Sequence, residues 1–185
     1  MNRSRYIVLV LTVAWSVPAA ADSRDKEVIA VVLDHFAKRP DASFYEEDAP
    51  LLIRPNTAEA KNISFYSGLE ATEGECAVDK SLYASLRERS GVVHDARELV
   101  APSGTWRFAT EKTPSPAMPP PPKGPTAPRM RTMVRLYLPA FSASGDRALV
   151  MFHFNWSMHG AAARYNVQRS ESGWKVQCSK LLFYP

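Results

Sequence analysis

The side chains able to do chemistry in this chain are few, and they gather in its last third. Of the four histidines, His153 and His159 flank one predicted hairpin, while His35 and His94 lie far upstream. Two ring nitrogens without a nearby carboxylate or thiolate make a poor metal set, so neither a metal nor another cofactor is expected. A His–Ser pair can be drawn from His153 or His159 with Ser157, but nearness in sequence says little about attack geometry. The sequence holds no G-x-S-x-G, phosphate loop, G-x-G-x-x-G, H-E-x-x-H or calcium-loop spacing, which leaves no catalytic residue to assign by motif. The arginines carry more information. Arg129, Arg131 and Arg135 share one parity of a predicted strand, and Arg164 joins them if its strand pairs nearby. Guanidinium groups on one sheet face can hold a carboxylate, a phosphate or an acidic protein surface. The same charges would also keep an exposed strand from pairing with another chain.

The elements that must position these residues read as four strands joined by short turns, from Arg131 to the C-terminus. Residues 131–141 place Thr132, Val134, Leu136, Leu138 and Ala140 on one face and Arg131, Met133, Arg135 and Tyr137 on the other. Arg147–Trp156 is apolar on both parities, which predicts a central strand covered on both faces. Ala161–Arg169 alternates again, and in the last strand Trp174, Val176 and Cys178 share a parity against Lys175, Gln177 and Ser179. The intervening turns are Ser142–Asp146, with Gly145 free to take a positive φ, then Ser157–Gly160 and Ser170–Gly173. Connections of about four residues make an antiparallel meander the simplest topology.

Two cysteines, Cys76 and Cys178, are the whole thiol inventory. With no Cys-x-x-Cys spacing they predict one structural disulfide, directed inward because Cys178 shares its parity with Trp174 and Val176. The compartment follows from the front of the chain. Asn2–Arg5 is basic, Tyr6–Val17 is apolar, and Pro18-Ala-Ala-Ala21 ends in small residues, the three parts of a secretory signal peptide. Twelve or so apolar residues fall short of the ~20 that span a bilayer. Residues 1–21 are therefore expected to be removed, leaving 22–185 as a single domain with no membrane span. Without Arg3 and Arg5 the net charge falls to +2, which argues against a nucleic-acid partner.

Asp22-Ser-Arg-Asp25 can cap a helix whose stripe Val28, Ile29, Val32, Leu33 and Phe36 recurs at helical spacing, with His35 at its border and Pro40 beyond it. Leu51–Arg54, between Pro50 and Pro55, predicts a short edge strand. Asp79 can cap a second short helix over Lys80–Arg89 that buries Leu82, Tyr83 and Leu86, and Val92–Val100 is either a strand or an extended connection. Residues 113–128 contain eight prolines and predict an extended loop, read more readily as a solvated insertion than as a docking peptide.

The string Phe141-Ser-Ala-Ser-Gly-Asp-Arg-Ala-Leu-Val150, followed by Gly160 and Ser172-Gly-Trp-Lys-Val176, resembles the ending of a group of exported bacterial proteins with no assigned activity. A helix ahead of a curved sheet ending in Gly-Trp-x-Val is also similar to nuclear-transport-factor-2-like domains. Neither resemblance implies an activity, since such folds host many. The expectation is an α+β domain, with an N-terminal amphipathic helix and a short second helix packed on a C-terminal antiparallel meander of four to six strands. Its expected function is that of a periplasmic or secreted, non-enzymatic binding protein. The ligand-binding candidates are Arg131, Arg135, His153, His159 and Arg164, for an anionic ligand or an acidic protein surface. The alternative is a small-pocket hydrolase or isomerase using His153 or His159.

Overall fold

A computed structural model describes residues 22–38, 51–59, 61, 76–101, 103–110, 132–155 and 160–183. The predicted signal peptide, the proline-rich segment 113–128, Arg131 and His159 lie outside these residues.

Helix α1 spans Ser23–Ala37 and starts where its residue types dictate. The Asp22 carboxylate accepts from the backbone N–H of Arg24 and Asp25, and Asp25 returns the favour by accepting from the Asp22 N–H at 2.8 Å. This capping box satisfies donors that the first helical turn leaves open. The stripe Val28, Ile29, Val32, Leu33 and Phe36 is buried throughout. Each such side chain contributes about 1.5–3 kcal/mol on burial. Helix α2 spans Lys80–Arg89, is capped by Asp79, and buries Leu82 and Leu86 with Tyr83 partly covered beside them.

The strands are β1 (Leu51–Ile53), β2 (Trp106–Phe108), β3 (Met133–Leu136), β4 (Ala140–Phe141), β5 (Arg147–Asn155), β6 (Gly160–Ser170) and β7 (Gly173–Phe183). They form one sheet in the order β2-β1-β3-β5-β6-β7, with β4 also paired to β5. From β3 onward every pairing is antiparallel, the expected meander. The first predicted strand is split, because Pro139 has no N–H to continue the ladder between β3 and β4. The tight turns carry glycines at φ +72° (Gly145) and +105° (Gly173), conformations that a Cβ would strain.

The front half departs from the expectation in two ways. Leu51–Ile53 is not an edge strand: it lies between β2 and β3 and runs parallel to both, so the sheet is mixed. Its three residues are all buried, as both-sided coverage requires. Val92–Val100 contributes a 3-10 turn over Ala96–Glu98 and one bridge from Asp95 to Asn56, and the strand of this region is β2, further on.

A layer of helix covers each face. On the α1 face, the helix stripe packs on Val134, Leu136, Val150, Phe152, Phe154, Tyr165, Val167 and Trp174. On the α2 face, Leu82 and Leu86 pack with Val78, Tyr137, Leu149, Met151, Ala162 and Leu182. The helices are tied at the β4 end of the sheet. Arg89 of α2 forms a bidentate pair with Asp25 of α1 at 3.0 Å, donates to the Pro139 carbonyl, and lies 5.4 Å above the Phe141 ring. Asp25 is 0% exposed and the Arg89 side chain 13%, so this is a desolvated ion pair.

The disulfide joins Cys76 to Cys178 across a Cα–Cα distance of 5.7 Å, but on the face opposite to the one expected. In the β6–β7 ladder Asn166 faces Cys178 while Val167 faces Val176, so Gln177 is an extra residue in β7. One inserted residue reverses the side-chain parity beyond it. Trp174 and Val176 therefore pack on the α1 side, whereas Cys178 and Leu182 belong to the α2 side, where Cys76 approaches. Among the described residues no helix is long and apolar enough to cross a membrane.

Candidate functional site

The two sheet faces differ in where their cations lie. Antiparallel β3–β5 register sets Arg135 directly opposite His153, and β5–β6 register sets His153 opposite Ala162. On the other flank, parallel β1–β3 register pairs Ile53 with Val134, and the Arg54 N–H donates to the Val134 carbonyl at 2.8 Å. That bond carries the ladder one residue further and brings Arg54 beside Arg135. Arg54, Arg135 and His153 thus form a row across three adjacent strands, perpendicular to the chain direction, on the α2 face.

The row grades from exposed Arg54 to half-buried Arg135 and His153. Met133 and Leu52 border it on one side and Tyr137 and Met151 on the other, all of them buried. Directly opposed cross-strand side chains sit ~4.5–5.5 Å apart at Cβ, and like charges there repel. The cost falls on the histidine. Burial holds the His153 imidazole below its ordinary value, and the Arg135 and Arg54 guanidiniums push it down further. At neutral pH His153 is accordingly an uncharged ring beside two fixed cations. The Arg135 Nε is buried and has no hydrogen-bond partner among the described residues. A buried guanidinium N–H normally finds an acceptor, so an acceptor from outside the described protein atoms would complete it.

Arg164 shares the α2 face but not the row. It lies opposite Met151 on β5 and Lys180 on β7. At 1% exposure it is the largest fully buried side chain among the described residues, and its guanidinium donates to the Cys76 carbonyl at 2.5 Å. Burial lowers its pKa from the ordinary guanidinium range. Asn166, the next residue on that face, donates to the Ala77 carbonyl at 2.8 Å. Both side chains hold down the segment that the disulfide anchors. Arg164 thus lies buried beneath that segment, with its guanidinium on the Cys76 carbonyl.

Of the five binding candidates, then, Arg135 and His153 come together, Arg164 is diverted, and Arg131 and His159 lie outside the described residues. Arg54 escaped the sequence reading. Its run looked like an edge strand, and nothing local revealed that β1 inserts beside β3. His35 is exposed at the end of α1, with its ring edge-on to Tyr165 at 5.8 Å, and takes no part in the row. Among the described residues no three His, Cys, Asp or Glu side chains are grouped to hold a metal ion.

No family model matches this chain, and no curated protein or solved structure matches it either.

Proposed function

We propose that the protein is exported and acts as a binding protein, holding a small anion through Arg54, Arg135 and His153. The observation that carries this reading is the cross-strand row. Two guanidiniums and an imidazole occupy neighbouring positions on three strands, where a bound negative group offsets the repulsion between like charges. A carboxylate or phosphate oxygen can accept from the buried Arg135 Nε and from Arg54 in the forked geometry that guanidinium favours. The Cys76–Cys178 bridge supports the compartment, since disulfides persist in oxidising environments. The basic, apolar and small-residue order of residues 2–21 supports it from the sequence side.

Nuclear magnetic resonance titration of the His153 ring tests the assignment, with inorganic phosphate and succinate as probes. A bound anion stabilises the imidazolium, so the His153 pKa must rise as either probe saturates. The Arg135→Gln variant should abolish the response while leaving the fold intact. A His153 titration that is unmoved by both probes rules the site out.

A further inference from the structure

A recess on the α2 face lies toward the other end of β5 from the row, where β5 begins and α2 starts. It encloses about 190 Å³ between the segment 77–82 and the paired ends of β5, β6 and β7. Its polar lining is Asp79, Arg147, Asn166, Gln168 and Gln177, with Leu82 among the apolar residues. Gln177 is present because of the β7 bulge, a device that commonly re-aims a side chain beside a binding site.

The charges are arranged for exchange. The two oxygens of Asp79 have separate duties: Oδ1 accepts from the Ser81 backbone N–H at 2.9 Å and from its hydroxyl at 2.7 Å. Oδ2 faces Arg147 at 3.3 Å, longer than the ~2.7–2.9 Å of a tight charge-assisted bond. Both partners are partly solvated, at 52% exposure for Arg147 and 36% for Asp79, so separating them costs little. Ser81 keeps the carboxylate acidic, holding it below the usual range mainly through its hydroxyl and N–H, with Arg147 a smaller contributor. Asp79 therefore stays ionised when Arg147 turns to another partner.

The chemistry of the occupant follows by elimination. A simple anion entering the recess meets Asp79, and a simple cation meets Arg147. No aromatic ring lines the recess to stack against a sugar. A molecule carrying both charges satisfies both walls, its ammonium on Asp79 Oδ2 and its carboxylate on the Arg147 fork. At about 190 Å³ the recess is smaller than the ~300–1,000 Å³ of pockets that take drug-sized ligands, and suits a small one. We propose that this recess binds a free amino acid with a small side chain. The amides of Gln168 and Gln177 flank it, and Leu82 supports its apolar part.

Isothermal titration of the full chain carrying Arg135→Gln, which removes anion binding at the row, tests this with alanine, and with acetate and methylammonium as single-charge controls. Saturable binding of alanine, and none of either control at the same concentration, is the expected result. Arg147→Gln and Asp79→Asn should each weaken alanine binding about tenfold or more, the scale of one charge-assisted contact. Asparagine still caps a helix, so the second variant keeps α2 in place. The Arg135→Gln background separates this recess from the Arg54–Arg135–His153 row. Absence of saturable alanine binding overturns the proposal. So does acetate binding as tightly as alanine, or full affinity in the Asp79→Asn variant.

Discussion

Deleting Gln177 is the sharpest test of the bulge, because it is the one extra residue in β7. Without it Cys178 follows Val176 directly, and plain alternation keeps Val176 on the α1 side and Cys178 and Leu182 on the α2 side. The deletion variant should therefore keep the Cys76–Cys178 bridge, which a Cys76→Ala/Cys178→Ala variant lacks. Closing a loop of sequence separation 102 is worth about 4.7 kcal/mol in the chain-entropy model. For a domain of this size that corresponds to a fall in melting temperature of about 9–19 °C in the double alanine variant. The deletion should cost far less. Thiol titration in denaturant should find no reactive cysteine in either the parent or the deletion variant. A deletion variant with two reactive cysteines, melting as low as the double alanine variant, would show that the bulge does not set the faces of β7.

Other perturbations probe the helix tie, the row and a turn. Replacing Arg89 by Met strands the fully buried Asp25 carboxylate, and chemical denaturation should report a loss of about 3–5 kcal/mol. The Asp25→Asn/Arg89→Met double variant should recover part of that loss, because no charge is then left buried. Because the folded state holds the His153 pKa below its unfolded value of 6.5, the unfolded chain binds more protons in the window between the two. Stability should therefore rise with pH through that window and level off above it. His153→Gln should flatten this component of the pH profile, and saturating phosphate should shift it. Gly145→Ala places a Cβ at φ +72° and should cost about 1 kcal/mol by thermal denaturation.

The helices were legible because their signals are local. Asp22 and Asp79 are capping side chains, and the α1 stripe repeats at helical spacing, so start, length and buried face follow from neighbours in sequence. The meander was legible for a similar reason, its turns being short and its alternation clean. What escaped was set by partners far away in the chain. Leu51–Ile53 is three residues long, too short to reveal through periodicity that it pairs with Trp106–Phe108 and Met133–Leu136. Arg54 was invisible as a site residue for the same reason. Asp25 and Arg89 are 64 positions apart, and each looked like an ordinary terminal charge on its own helix.

The misplaced cysteine teaches most about this fold. Strict alternation over Trp174, Val176 and Cys178 put all three on one face, and only a bulge can break that rule. The bulge has consequences for everything on the α2 face. It turns Cys178 toward Cys76, and the bridge anchors the segment whose carbonyls accept from Arg164 and Asn166. That segment runs straight into Asp79, the cap of α2 and the acidic wall of the recess. Arg164 is thereby held beneath the segment, apart from the row. A β7 that held Gln177 in unbroken alternation would turn its cysteine to the α1 layer and release the segment that covers Arg164. On this face α2 and the disulfide segment cover the middle of the described sheet, with the row toward one end and the recess at the other.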